Sequence, residues 1–342
     1  MKELGFGIVG CGVIAPTHAK ALQGIAGAKL VACCDVVSEK AEKFAEEFGC
    51  DAYTDLAEML KRDDLDAVCV CTPSGLHAEV GIQAVKAGKH VMVEKPIDVT
   101  LEKADALIQA AKEAGVKLGV ISQNRFHDDL QKLKKAVDEG KLGQLNFGGS
   151  HTKWYRSQEY YDSGDWRGTW ELDGGGAIMN QSIHYVDLLQ YIMGPVEEIF
   201  AYCATRDHVR IEVEDIAVAS VKFKSGAIGI IEGNTAAYPG FYTRLDIYGS
   251  DGSVIIQSNK IVEWKLKGEE SADAGSGEEV AGAASPLLGH SCHQRQLGDF
   301  VVAIREDREP SVNGEEGRKP LEIIMALYES ARTGKPVKVG GN

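Results

Sequence analysis

Three polar side chains fall on one predicted helix that is otherwise apolar. The stretch GGGAIMNQSIHYVDLL (174–189) predicts a helix over roughly 177–192. Asn180 and His184 are four residues apart and His184 and Asp187 are three apart, so an α-helix presents all three on one face. Histidine changes its charge near neutral pH and therefore suits general acid–base chemistry. The pattern indicates a functional face.

A second group of polar residues follows two apolar runs near the amino terminus. Thr72-Pro73 leaves the run DAVCVCT, and His77 opens the next helix. Glu94 and Lys95 stand where the run HVMV ends, and a following proline forbids continuation of the strand. Because ligands bind at the carboxyl ends of the strands in an open parallel sheet, we expect these residues to line a cofactor site.

A glycine-rich turn precedes both groups. The segment GIVGCGVIA carries a G-x-G-x-x-A pattern between a predicted strand and a helix, which is typical of pyrophosphate binding at a helix N-terminus. The second strand ends in Asp35, whose carboxylate can accept hydrogen bonds from an adenosine ribose and would repel a 2′-phosphate. The pattern predicts NAD rather than NADP. The predicted cofactor contacts are Gly10, Gly12, Val13, Ile14, Asp35, Thr72, Pro73, His77, Glu94 and Lys95.

The elements that must position these residues divide into two predicted domains. Residues 1–122 alternate short apolar runs with amphipathic helical stretches, which predicts a doubly wound parallel sheet, a Rossmann domain. Residues 123–342 form the predicted substrate-binding and oligomerisation domain, an α/β domain with a large, open, mostly antiparallel sheet. The small, acidic segment 268–288 is predicted to be a loop, and closing helices are expected near 291–306 and 318–332, packed on either domain.

Composition excludes several classes of protein. The formal net charge is -14, which disfavours nucleic-acid binding. No apolar run is long enough to predict a membrane span, and the start does not resemble a signal peptide. The eight cysteines form no C-x-x-C pair, so we expect reduced thiols, a cytoplasmic protein and no metal site.

Taken together, GCGVIA, EKP and the GGG…H segment resemble the Gfo/Idh/MocA family of oxidoreductases, over essentially the whole chain. The resemblance implies an NAD(P)-dependent sugar dehydrogenase that forms homodimers or homotetramers through its C-terminal sheet. The family lysine corresponds to Lys95 and the family histidine to His184. Many members carry aspartate where this chain has Asn180. In this respect the block around MNQSIH is similar to members that oxidise sugar nucleotides and glycosides at C3, in particular UDP-N-acetylglucosaminuronate 3-dehydrogenases.

The resemblance implies a mechanism for oxidation of a secondary sugar hydroxyl. His184 would take the hydroxyl proton, and Lys95 would stabilise the negative charge that develops on oxygen. Asp187 would orient His184, Asn180 would bind a neighbouring hydroxyl, and the three glycines would leave room for sugar and cofactor. The further predicted substrate contacts are Tyr155, Arg156, Trp166, Arg167 and His293.

Two alternative functions remain open at this stage. A glycoside-cleaving enzyme could retain tightly bound NAD and pass through a transient 3-keto intermediate, without net NADH. A non-catalytic NAD-binding sensor would need neither Lys95 nor His184, so their joint presence argues against it.

Overall fold

The computed structural model describes residues 3–268 and 290–340, so all but Gly268 of the predicted loop over 268–288 lies outside the described residues. Two compact units divide the described chain. The first unit comprises residues 3–123 and 290–318, and the second comprises residues 124–268 and 319–340. Each unit therefore consists of two separate segments of the chain, because the segment that holds the first closing helix belongs to the first unit.

The first unit is built on a six-stranded parallel sheet with the order β3-β2-β1-β4-β5-β6. Its strands are β1 (Leu4–Val9), β2 (Ala28–Cys34), β3 (Asp51–Tyr53), β4 (Ala67–Val70), β5 (His90–Val93) and β6 (Leu118–Val120). The helices between them are α1 (Ala15–Gln23), α2 (Ser38–Phe48), α3 (Leu56–Leu60), α4 (His77–Lys86) and α5 (Leu101–Ala114). This order confirms the predicted Rossmann fold.

The continuous apolar runs of the sequence are explained by burial on both faces of this sheet. Phe6 and Ile8 of β1 are fully buried, and so is Phe300 of α9 (Ser291–Glu306), which packs into the same core. Helix α9 contacts α1 within the first unit. The predicted helix over 291–306 is therefore present and completes the Rossmann core.

The second unit holds an eight-stranded sheet with the order β13-β12-β11-β7-β10-β9-β8-β14. Its strands are β7 (Leu145–Lys153), β8 (Val196–Ala204), β9 (Ile216–Phe223), β10 (Ile228–Asn234), β11 (Thr243–Gly249), β12 (Gly252–Gln257), β13 (Lys260–Leu266) and β14 (Val337–Lys338). The β7–β10 pair is parallel and the other pairs are antiparallel, so the mostly antiparallel sheet is confirmed.

Helices cover one face of this second sheet. They are α6 (Asp128–Asp138), the short α7 (Gln158–Asp162) and α8 (Ile183–Met193), followed near the end of the chain by α10 (Gly314–Thr333), within which the two units divide. Helix α8 packs on β7 and β11. Along β9 buried and exposed residues alternate, because one face of the strand meets this layer and the other does not.

The sequence missed β3 and β14, which have three and two residues and no buried apolar run, whereas the equally short but buried β6 lies within a predicted run. Helix α10 begins four residues before the predicted start, at Gly314. Within the described ranges, none of the helices combines the length and the apolar character that a membrane crossing requires.

Candidate active site

The glycine turn between β1 and α1 has the form that a dinucleotide requires. Gly10 has φ +90°, and a Cβ there would lie 2.7 Å from the Cys71 carbonyl oxygen, so only glycine fits. A Cβ on Gly12 would meet nothing within 4 Å. The protein itself does not require that glycine, which suits the close approach of a pyrophosphate to the backbone. Helix α1 has no side-chain cap, but Pro16 has no N–H and the Ala15 and Thr17 N–H groups donate to the Gly12 and Ile14 carbonyl oxygens at 3.3 and 3.0 Å. The N–H groups of the turn itself are therefore the ones that can bind an anion.

Asp35 is fixed beside this turn by two backbone hydrogen bonds. Its Oδ2 accepts from the Cys11 N–H at 2.8 Å, and its Oδ1 accepts from the Val37 N–H at 2.9 Å. Each carboxylate oxygen can accept further hydrogen bonds. Val13 of the turn is exposed. The chain therefore holds an oriented carboxylate beside the glycine turn.

The strand-end residues divide into two groups. Thr72 Oγ1 is buried and has no hydrogen-bond partner among the described residues, as expected of a group that awaits a ligand. His77 is different, because it is buried and both ring nitrogens lie against carbonyl oxygens, Nδ1 at 2.7 Å from Pro96 and Nε2 at 2.9 Å from Thr72. The predicted direct cofactor contact at His77 is thus corrected: its ring ties the two strand-end loops together.

His293 also needs correction. The sequence placed it among the substrate contacts, but α9 buries its side chain in the first unit, where its Nε2 lies 3.7 Å from Glu94 Oε1. Burial lowers the pKa of His293, although Glu94 opposes this change. A buried imidazole beside a buried carboxylate is positioned to act on the protein rather than on a sugar.

The predicted catalytic helix begins as a π-helix. Residues Ala177–Ser182 form the π-helical turn and α8 follows directly, so the single α-helix expected over 177–192 is wrong in its first turn. Single π-turns occur frequently at functional sites. Compared with a regular α-helix, the π-turn shifts Asn180 around the helix axis relative to His184 and Asp187. Asn180 Nδ2 donates to Asp173 Oδ1 at 2.5 Å, which orients the amide.

His184 and Asp187 follow on α8. His184 is half-buried, whereas Asp187 is buried in a two-point ion pair with Arg125. Arg125 Nε donates to Oδ2 at 2.8 Å and Nη2 donates to Oδ1 at 2.6 Å. Arg125 also lies over the Tyr191 ring, 4.3 Å from its centroid. The sequence suggested no arginine partner for Asp187, and this pair gives the carboxylate a structural role.

The glycine run before the π-turn is explained by packing rather than by room for a ligand. A Cβ on Gly176 would lie 1.8 Å from the Glu214 backbone oxygen, and one on Gly175 would lie 2.1 Å from the Tyr328 hydroxyl. The buried Glu214 carboxylate accepts from the N–H groups of Gly176 and Ile178 and from Tyr328 Oη, at 3.1, 2.9 and 3.0 Å. The interpretation of the glycines as free space is therefore corrected for Gly175 and Gly176.

Glu214 predicts a pH-dependent stability. Burial raises the pKa of Glu214 to about 7, against hydrogen bonds that oppose the change. The native state therefore keeps a proton that the unfolded chain releases above its ordinary carboxyl pKa, and stability falls as pH rises from about 4.5 to about 7. We expect this residue to contribute a fall of about 3 kcal/mol. Because the Glu214→Gln side chain cannot ionise, urea unfolding at pH 5 to 8 should show the stability of the wild type falling relative to that of the variant as pH rises. A pH-independent difference would contradict the assignment.

Three of the predicted substrate residues lie in an arginine–aromatic cluster of the second unit. Guanidinium groups flank the Tyr160 ring, with Arg156 4.7 Å and Arg167 4.3 Å from its centroid. Arg167 Nη1 also donates to Tyr160 Oη at 2.7 Å, and its guanidinium lies 4.4 Å from the centroid of the Trp166 ring. The cluster comprises Trp154, Arg156, Tyr160, Trp166 and Arg167. Tyr155 packs instead against Tyr238.

Within the described residues, neither guanidinium of this cluster is paired with a carboxylate, and the buried Arg156 Nε has no hydrogen-bond partner. His208 links the Arg156 backbone to Asp215. Its Nε2 lies 2.7 Å from the Arg156 carbonyl oxygen, and its Nδ1 lies 3.0 Å from Asp215 Oδ2. Despite burial, His208 and the surrounding N–H groups lower the pKa of Asp215 to about 2. Tyr160, His208 and Asp215 were not predicted from the sequence. The arginines interleaved with aromatics in WYRSQEYY were the available signal.

Family models match both parts of the chain. An oxidoreductase-family model, described as an NAD-binding Rossmann fold of the Gfo/Idh/MocA type, matches residues 4–122. The Gfo/Idh/MocA C-terminal domain model matches residues 130–255. The chain belongs to the Gfo/Idh/MocA oxidoreductase family. It is an NAD-dependent oxidoreductase of a family that includes sugar and polyol dehydrogenases.

Relatives of this Gfo/Idh/MocA protein extend over its full length. Myo-inositol 2-dehydrogenase of Thermotoga maritima is 30% identical and the match covers 97% of this chain and 98% of the relative. The solved WlbA dehydrogenase from Bordetella pertussis, in complex with NADH and UDP-GlcNAcA, is 36% identical with a TM-score of 0.89, covering 100% of each chain. Levoglucosan dehydrogenase in complex with NADH and L-sorbose, 23% identical with a TM-score of 0.90 over 100% of each chain, shares the fold.

Proposed function

We propose that this family member oxidises the C3 hydroxyl of a negatively charged sugar, of the sugar-nucleotide uronate class, with NAD. The observation that carries this proposal is the arginine–aromatic cluster. A chain of net charge -14 holds two guanidinium groups around one tyrosine ring without a carboxylate partner among the described residues. Like charges in that position repel each other, so an anionic ligand would stabilise the cluster.

Similarity to two solved structures supports an anionic substrate. Two solved WlbA dehydrogenases, each 36% identical to this chain, are complexes with NADH and UDP-GlcNAcA. That ligand carries a uronate carboxylate and a diphosphate. Arginine binds both groups through paired N–H donors, whereas a neutral polyol offers no such partner.

The proposed chemistry assigns separate tasks to the residues of the two units. NAD, when bound, supplies the hydride acceptor. The Gly10–Gly12 turn at the N-terminus of α1 would hold its pyrophosphate, Asp35 its ribose, and Thr72 and Pro73 the strand-end side of the site. Lys95 would donate a hydrogen bond to the reacting oxygen and stabilise its developing charge. His184 would accept the hydroxyl proton, and Asn180, oriented by Asp173, would bind a neighbouring hydroxyl.

A panel of sugars with NAD tests the substrate assignment. We expect NADH formation, followed at 340 nm, to be fastest with UDP-GlcNAcA and at least about tenfold slower in kcat/KM with neutral UDP-free sugars. Arg156→Met and Arg167→Met should each lower kcat/KM for UDP-GlcNAcA by at least about tenfold, whereas Arg210→Met, which removes an exposed arginine paired with Asp162, should leave it unchanged.

Other outcomes of the same panel support the alternatives. Faster oxidation of myo-inositol or levoglucosan than of any charged sugar would contradict the anionic substrate. Cleavage of a glycoside without net NADH, by enzyme that retains NAD through purification, would favour the transient 3-keto route. Absence of turnover on every sugar together with tight NADH binding would favour a sensor.

Asp35 is proposed to set the preference for NAD over NADP. Asp35→Asn removes the charge but preserves the shape of the side chain, so we expect the ratio of kcat/KM for NAD to that for NADP to fall by at least about tenfold. Asp55→Asn is the matched control, because the exposed Asp55 carboxylate likewise accepts a backbone N–H, from Ala57 at 2.8 Å. An unchanged ratio in Asp35→Asn would assign the preference to other residues.

The face of the second sheet that is exposed among the described residues supports a homodimer or homotetramer. Large apolar side chains of neighbouring strands are exposed there, with Tyr202 of β8 66% exposed and Ile228 of β10 60% exposed. Val218 of β9 and Ile230 of β10 continue this patch. Such a patch favours association.

The eight free cysteines support a reducing compartment, and we propose a cytoplasmic location.

A further inference from the structure

Three buried polar side chains lie close together near the end of β5, next to Lys95. His18 lies on α1, Glu94 directly follows β5 and His293 lies on α9, and their exposed fractions are 0%, 6% and 1%. All three belong to the first unit. The cofactor turn and the proposed chemistry assign no task to His18 or His293.

Glu94 connects these histidines to the backbone of Lys95. Its Oε1 lies 2.8 Å from His18 Nε2 and 3.7 Å from His293 Nε2. Its Oε2 accepts a hydrogen bond from the Lys95 N–H at 3.1 Å. The carboxylate therefore lies between two imidazoles on one side and the peptide of Lys95 on the other.

The charges are consistent with an ion pair inside this cluster. Burial opposes charge on Glu94, yet the hydrogen bond from His18 and the nearby His293 imidazole hold the pKa of Glu94 well below its usual value. Burial also opposes charge on His18, but the nearby Cys71 and Cys69 thiols and Glu94 hold the pKa of His18 well above its usual value. Lys95 is among the cations that contribute to lowering the pKa of His293. A charged His18 and a neutral His293 therefore face the Glu94 carboxylate.

The same three side chains bear metal-ligand atoms, all within 4.8 Å of one another. The distances favour a hydrogen bond over a metal site. Two ligand atoms on a tetrahedral zinc, each about 2.0 Å from the metal, lie about 3.3 Å apart. The 2.8 Å separation of His18 Nε2 and Glu94 Oε1 is shorter and has the length of a charge-assisted hydrogen bond.

We propose that His18 and His293 are positioning residues for Lys95, acting through Glu94: they fix the carboxylate that holds the Lys95 peptide, and thereby aim the lysine side chain. This inference rests on the role proposed for Lys95. His18, the closer of the two, makes the larger contribution. Without it Glu94 Oε1 lacks its nearest donor, so the carboxylate is no longer fixed and the Lys95 peptide that it holds can shift.

A double-mutant cycle on the full-length enzyme tests this inference. With NAD and UDP-GlcNAcA, or the sugar of the panel that gives most NADH, His18→Leu should lower kcat by about 10- to 100-fold and change KM by less than about threefold. His18→Gln, which can still donate to Glu94, should recover part of the loss. His293→Leu should lower kcat by a smaller factor. In a Lys95→Met background His18→Leu should cause less than a twofold further loss.

The control is His90→Gln, at the opposite end of β5, where His90 Nδ1 accepts from the Lys117 N–H at 2.9 Å; it should leave kcat unchanged. NADH fluorescence titration shows whether each variant is folded, and His18→Asn replaces His18→Leu in the cycle if the latter does not bind NADH. An equal loss with and without Lys95 overturns the inference, and so does stoichiometric zinc in the wild type that His18→Leu removes. An active Lys95→Met variant would instead overturn the proposed role of Lys95.

Discussion

Replacement of Lys95 by methionine should lower kcat by about 10³-fold, while NADH binding remains within a few-fold of the wild type. Methionine preserves most of the length and the apolar stem of lysine but cannot donate a hydrogen bond to the reacting oxygen. The loss should therefore fall on the interaction that strengthens as negative charge develops, and thus on kcat more than on KM. Steady-state NADH formation and a fluorescence titration of NADH measure the two quantities.

A second lysine, at the other end of β5, provides the control. Lys89 immediately precedes β5, and its Nζ donates to the carbonyl oxygens of Arg62 and Leu65 at 3.1 and 2.8 Å. Lys89→Met should lower stability slightly and leave kcat within about twofold of the wild type. His184→Asn tests the proton acceptor and should lower kcat by about 10²- to 10⁴-fold. If Lys95→Met turned over at a near-wild-type rate, the charge on oxygen would have to be stabilised by another group.

Loss of the charge on Asp187 should destabilise the second unit by about 3–5 kcal/mol. The Asp187→Asn variant leaves the buried Arg125 guanidinium without the carboxylate that accepts two of its hydrogen bonds. Removing one partner of a buried ion pair leaves the cost of burying the other charge uncompensated. The measurement is the free energy of unfolding in urea, with the variant expected to unfold at a clearly lower midpoint.

Two further variants separate the pair from a catalytic role of Asp187. Asp162→Asn breaks the exposed ion pair with Arg210 and should cost less than about 1 kcal/mol. The double variant Arg125→Met with Asp187→Leu removes both charges and should recover much of the stability. If stability returned but kcat did not, Asp187 would also orient His184, as the sequence predicted. Equal stability of Asp187→Asn and the wild type would mean that the ion pair contributes nothing.

The sequence by itself determined the parts of the molecule that depend on neighbours along the chain. The turn from Gly10 to Gly12 requires small residues at fixed spacing between a strand and a helix, and the apolar runs of β1, β2, β4 and β5 report burial on both faces of a parallel sheet. Each of these signals is contained within one turn or one strand, so its geometry follows from local backbone rules. The Rossmann fold was therefore predictable.

Only the tertiary structure decided which side chains are neighbours across long stretches of chain. His18 and Glu94 are 76 positions apart and Arg125 and Asp187 are 62 apart, so no helical or strand periodicity relates them. Their contacts depend on how helices and strands pack, and burial then forces each polar group to find a partner. For this reason the types of the candidate residues could be predicted from the sequence, whereas the buried partners of His293 and Asp187 could not.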